Sequence, residues 1–283
     1  MNQSEVKEIQ DFNDFKYAWY RNGKYSVNVK SYLTLGNGKA NETETEEIWE
    51  IIPGEYKHIE ILISDKKYIH FDAQMKPFYE ILDQVNKATE NLSLLLNEDK
   101  TIGKVENEEA IIEKWEEIKR KELRFLQLVK ESYNEIITIY DQEFLRIESN
   151  IKANLLYQIF FFPFPNTGAN FQKEGGFKER ETLSTLFPGE KITYDTSYQF
   201  EEQKDNFQMN VKGKLKSHSG DFEEIYAQNY QKALNIPLEY DLMMEGEYVF
   251  NSDSVLSEII FHVKEKLNDK MLYVCRYHIQ LLT

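Results

Sequence analysis

The sequence predicts an α+β fold in which two antiparallel β-meander regions flank a central helical layer. Three observations carry this. Apolar residues alternate with polar ones near the start of the chain and again after residue 186, the period of half-buried strands. Between residues 107 and 150 they recur at helical spacing instead. A stretch rich in proline and glycine, residues 163–176, separates the two patterns. The expected divisions are an N-terminal β region over 1–75, a helical layer with a small hairpin over 76–165, and a C-terminal β region over 166–283. The two β regions are able to share one core, since 283 residues is long for one small domain and short for three.

Taken in order, Tyr25, Val27, Val29, Leu33 and Leu35 alternate, with the series broken at Ser31, and Gly36-Asn37-Gly38 signals a turn. Ile48 to Ile52 forms a short strand turned by Pro53-Gly54, and Ile59, Ile61 and Ile63 begin another that resumes at Tyr68–Phe71. Pro77 suits the first turn of a short helix carrying Phe78, Ile81, Leu82 and Val85 on one face. Leu92–Leu96 and Thr101–Val105 predict a hairpin. Asn107 is positioned to cap the helix that follows, with Glu108 and Glu109 favourably placed in its first turn. Ile111, Ile112, Trp115 and Ile118 begin an apolar stripe that runs on to Ile147, with a break expected near residues 131–133 and a third short helix over 150–160. Gly175-Gly176 reads as linker. Beyond it Ile192 to Phe200, Phe207 to Val211, Leu238 to Leu242, Leu256 to Val263 and Met271 to Leu281 read as the second meander.

Net charge is −15, from 49 acidic against 34 basic residues. A field of that sign repels phosphate backbones and anionic membrane surfaces, so the expected partner is a protein of basic character rather than nucleic acid or membrane. Cys275 is the single cysteine, which excludes an intramolecular disulfide and suits a reducing compartment, so a cytoplasmic location is expected. No run approaches the roughly 20 apolar residues of a membrane span.

Motifs with chemical meaning are sparse. His58 with Glu60, and His70 with Asp72, share a strand face at i, i+2, a spacing also expected of an ordinary polar face. Cys275 and His278, three apart on a strand, point to opposite faces and cannot form a nucleophile pair. Phosphate loops and hydrolase elbows of the G-x-S-x-G type are absent. The sequence therefore predicts no enzyme, no cofactor and no metal site.

Two features are candidates for partner binding. The acidic run containing Glu42, Glu44, Glu46 and Glu47 could dock a basic partner, with a solvated loop or edge strand as the plainer reading. The run Phe160-Phe161-Phe162-Pro163-Phe164-Pro165 combines four aromatics with two prolines that forbid a regular ladder or helix. Phe161, Phe162 and Phe164 either plug the helical layer onto the second sheet or form an apolar docking patch.

Residues Thr101 to Asn107, Ile111 to Trp115 and Phe160 to Pro165 together resemble a pattern in uncharacterised proteins of Bacteroidota, some encoded near type VI secretion or polymorphic-toxin loci. The resemblance covers about residues 90–165 and implies a protein-interaction role, such as an immunity protein or secretion adaptor. The β meanders resemble curved β-sheet lipoproteins that cup an apolar ligand, though the lipidated cysteine those carry near the start has no counterpart here. The first functional expectation is a non-enzymatic protein-binding protein. The alternative is a carrier of an apolar small molecule or lipid in a curved sheet.

Overall fold

The computed structural model describes residues 22–36, 38, 41–124, 130–163, 174–202, 206–218, 221–252 and 254–282. The alternating segments form strands where expected. Strands β1 (Gly23–Leu35), β2 (Asn41–Pro53) and β3 (His58–His70) make an antiparallel meander. The helix α1 (Lys76–Asn86) follows, with Pro77 in its first turn and Ile81 and Val85 buried. The hairpin of β4 (Asn91–Leu96) and β5 (Ile102–Val105) then extends the sheet beyond β3.

Helices α2 (Glu108–Lys121), α3 (Lys130–Phe144), α4 (Ile147–Ala153) and α5 (Leu155–Phe160) come next. Ile111, Trp115 and Ile118 of α2 are buried at i, i+4 and i+7, as the stripe requires. The Trp115 ring stacks on Phe144 of α3 at 4.8 Å, and its Nε1 donates to Asp141 at 2.8 Å. The expected break near 131–133 falls inside α3; α2 already ends at Lys121. Asn107 stands at the cap position of α2, but its side chain is turned onto β4. It accepts from the Ser93 amide at 2.9 Å and donates to the Asn91 carbonyl at 2.8 Å. The expected third helix is two, divided at Asn154, whose side chain caps α5 by accepting from the Leu156 amide.

The C-terminal half supplies β6 (Glu174–Leu183), β7 (Lys191–Glu202), β8 (Phe207–His218), β9 (Asp241–Phe250), β10 (Leu256–Asn268) and β11 (Met271–Leu282). Short helices α6 (Phe222–Asn229) and α7 (Gln231–Leu234) lie between β8 and β9. Gly175-Gly176 belongs to β6 rather than to a linker, and Leu238 and Tyr240 precede β9 without joining it.

The predicted fold class is corrected by one pairing. Strand β1 runs antiparallel to β11 from Lys24↔Leu282 to Leu35↔Met271. The two meander regions are therefore one antiparallel sheet of eleven strands among the described residues, in the order β5-β4-β3-β2-β1-β11-β10-β9-β8-β7-β6. No helical layer separates two sheets. Local alternation reports which residues share a face but not which distant strand lies alongside, so the sequence pattern left the halves apart.

Inward-facing residues form one core, from Leu92 and Ile61 through Trp49, Tyr25, Ile279 and Ile259 to Tyr248, Met209 and Tyr194. The sheet must also curl. Laid flat, its edge strands would stand about 48 Å apart at ~4.8 Å per strand. Yet α4–α5 binds both. Glu148 accepts from the Val105 amide of β5 at 3.2 Å, Thr182 of β6 donates to the Ala153 carbonyl at 2.9 Å, and Gln158 donates to the Glu181 carbonyl at 2.6 Å. Glu148 and Ala153, which hold β5 and β6 respectively, are five residues apart within α4, about 7.5 Å. Only a sheet wrapped around its own inner face brings β5 and β6 that close.

Candidate functional site

Burial separates the residues singled out by sequence. Phe160, Phe161 and Phe162 leave the end of α5 and enter the interior, each 1% exposed or less. Phe160 packs edge-on against Tyr25 and Trp49, and Phe162 against Phe177 and Tyr248. The Tyr248 hydroxyl donates to the Ile159 carbonyl at 2.9 Å, pinning this plug to β9. Phe161 and Phe162 thus present no surface to a partner, and Phe164 lies outside the described residues.

The acidic run is neither a loop nor a sheet edge. It occupies β2, hydrogen-bonded on both sides. Glu42 and Glu44 flank the Lys30 ammonium of β1 at 2.7 and 3.3 Å, and these partners hold the Lys30 pKa above its ordinary range. Asn28 donates to Glu44 at 3.0 Å, which lowers the Glu44 pKa, and Ser26 donates to Glu46 at 3.4 Å. Glu47 points the other way, accepting from Trp49 Nε1 at 2.7 Å. The run is a cross-strand polar ladder.

His58 bonds Glu106 at 2.6 Å and lies 3.7 Å from Glu60, while His278 meets Glu258 at 2.7 Å across β10 and β11. Cys275 faces inward and is fully buried, and burial raises its pKa. Among the described residues no three His, Cys, Asp or Glu side chains converge on a metal position.

The distinctive geometry lies where β5 and β6 approach each other. Because α4–α5 fills this seam in place of strand pairing, two cavities adjoin it. A cleft of about 160 Å³ is lined by Thr101 and Ile102 from the β5 side, Arg180 and Glu181 from β6, and Lys152, Tyr157, Gln158 and Phe161 from the helical segment. A groove of about 350 Å³ lies between α1, α3 and α4, lined by apolar Val85, Phe144, Ile147 and Ile151, by Tyr140, and by polar Asn86, Thr89, Glu143, Asn150 and Asn154. Tyr157 lines both cavities and stacks on Trp49 at 5.3 Å; burial pushes its pKa well up, so it is a neutral phenol.

Gln158 frames the cleft. Its amide nitrogen donates to the carbonyls of Lys152 and Glu181, and its oxygen accepts from the Tyr194 hydroxyl at 2.8 Å. Lys152 pairs with Glu148 at 2.6 Å, which lowers the Glu148 pKa, and Glu181 pairs with Lys191 at 3.3 Å. Arg180 points inward opposite Tyr194, because a bulge between Phe177 and Arg180 resets the register of β6. Glu179, at φ 59°, is the residue in the left-handed region, and its amide donates to Asp195 at 2.9 Å. None of Tyr157, Gln158 or Arg180 carries a sequence signal. Each is an ordinary residue type in an irregular stretch, and the seam exists only once the sheet has curled.

No protein-family model matches the chain, and no curated protein does. Among solved structures it is similar to one of lipovitellin, concerned with lipid–protein interactions in that protein, with a TM-score of 0.54 over 95% of this chain at 10% identity. The match takes in 26% of the lipovitellin chain, so this protein corresponds to about a quarter of it. The likeness is one of fold. Among the described residues no helix is long and apolar enough to cross a membrane.

Proposed function

We propose that the protein is a non-enzymatic carrier that holds an apolar small molecule or lipid chain between the curled sheet and its helices. The supporting observation is the unpaired seam, where the chain leaves a cleft and a groove sharing the Tyr157 wall. The larger volume falls within the range of small-ligand pockets, about 300–1,000 Å³. Val85, Phe144, Ile147 and Ile151 give it an aliphatic and aromatic wall beside polar Asn86, Thr89, Glu143, Asn150 and Asn154, so an apolar chain would gain its affinity along that wall. The likeness to lipovitellin, whose solved structure concerns lipid–protein interactions, favours the same reading. Native mass spectrometry of the full chain, purified without detergent and incubated with a mixed lipid extract, should find one bound species of lipid mass per protein. A bare protein mass under every condition refutes the carrier.

A second reading, the protein-binding role first expected, has its own observation. Ile69, Met75 and Phe78 are exposed around the turn from β3 into α1, and exposed apolar side chains grouped in this way mark interaction surfaces. A basic partner of a cytoplasmic immunity or secretion-adaptor protein would dock there. Phe78→Ser would then abolish its capture while leaving lipid retention intact.

A further inference from the structure

Arg180 is a half-buried cation that lines the cleft and lies against two buried rings. Its guanidinium carbon lies 4.8 Å from the centre of the Phe162 ring and 5.6 Å from that of Tyr194. Among the described residues its one hydrogen bond goes to the Gln158 carbonyl at 3.5 Å, the long limit for such a bond. Among the described residues no ion pair involves Arg180; Glu181, a carboxylate that lines the cleft, pairs with Lys191, and the cleft's Lys152 pairs with Glu148. Arg180 is half-buried, so its guanidinium is partly withdrawn from water with no counter-charge beside it, and two aromatic faces offset part of that cost. The guanidinium fork still has most of its donors to give.

We infer that Arg180 binds the oxyanion head of an amphiphile, a carboxylate or phosphate, whose apolar tail occupies the groove beyond Tyr157. This rests on the carrier reading and adds the ligand's chemical class. Tyr157 lines both the cleft that holds Arg180 and the groove, so a tail leaving the cleft past Tyr157 would meet the aliphatic side chains of α1, α3 and α4. The planar fork suits bidentate contact with carboxylate or phosphate, and the two flanking rings hold its plane. The bulge at Glu179 sets the direction of Arg180, and Gln158 fixes the edge of the cleft it faces. A free small anion carries the same oxygen chemistry, so the tail must be tested separately.

Calorimetric titration of the full chain with laurate, dodecanol, acetate and inorganic phosphate decides the matter. Laurate should bind at least about tenfold more tightly than dodecanol, the worth of one charge-assisted contact. Acetate and phosphate should show no comparable affinity. Arg180→Met should remove the preference for laurate and leave dodecanol binding within about threefold of wild type. The wild-type contrast needs no variant, so the inference stays testable even if that chain does not fold. Equal binding of laurate and dodecanol, or a preference that survives Arg180→Met, overturns the assignment of Arg180 while leaving the carrier intact. Binding of neither refutes the carrier itself. Phosphate binding as tightly as laurate overturns the amphiphile in favour of a free anion.

Discussion

The sheet is brought round by two junctions of opposite construction. At the β1–β11 junction backbone meets backbone along twelve consecutive register pairs, and the inward side chains Tyr25, Val27, Cys275 and Ile279 are buried. At the β5–β6 seam the strands never pair; helices, a glutamine and an arginine stand between them. A hydrogen-bonded ladder sets neighbouring strands about 4.8 Å apart and leaves no room for a guest. A junction spanned by side chains has gaps as large as its spacers are irregular. The cleft and the groove therefore lie at the seam, and the continuous hydrogen-bonded ladder at β1–β11.

That contrast can be broken or sharpened by substitution. The largest effect should come from Phe160→Ala, which removes the ring wedged between Tyr25 of the ladder side and the plug that fills the seam. A loss of about 3–5 kcal/mol in denaturant unfolding is expected, the range for large-to-small aromatic changes in cores. A loss under about 1 kcal/mol would mean that the two junctions do not share a core. Gln158→Leu should cost less, about 1–3 kcal/mol, since it orphans the Tyr194 hydroxyl and two carbonyls but leaves the ladder untouched. It should also change ligand retention in native mass spectrometry; unchanged retention would separate the frame of the cleft from binding. Smallest is Lys30→Met on the outer face, where the ammonium bridges Glu42 and Glu44 in solvent. Exposed pairs contribute little, so the unfolding midpoint should move no more than the scatter between repeats. A clear shift would make the outer ladder a structural element.

Much of the ladder side was legible in sequence and almost none of the seam. Strands β1, β7, β10 and β11 alternate because one face is buried and the other wet, and period two survives that arrangement, whereas β2 is legible as a strand only over Ile48–Ile52. The helix α2 announced itself through Ile111, Trp115 and Ile118. By contrast β6, with the sequence EGGFKERETL, shows no alternation; it is an edge strand carrying a bulge, and its glycines mimic a linker. Helices α6 and α7 went unread because their stripe is short, resting on Phe222, Tyr226 and Leu234. Asn107 looked like a cap because its type and place fit one, and only tertiary contact with β4 reassigns its side chain. Arg180 has meaning only beside Phe162 and Tyr194, and neither neighbour can be inferred from spacing.

The pairing of the first described strand with the last bears on how the chain is made. The Tyr25 hydroxyl waits for the Leu256 carbonyl, 231 residues downstream. At about 5–20 residues per second of synthesis, β1 spends on the order of ten seconds or more without the neighbour that completes it. Throughout that interval the β1–β3 meander exposes an open edge, and β1 carries Lys24 and Lys30 with Asn28 between them on its outer face. Charged side chains on an open edge discourage pairing with a foreign strand. Lys24 and Lys30 thus stand on the strand whose edge stays open until β11 is made, and any effect of removing their charge belongs to that interval rather than to the finished fold.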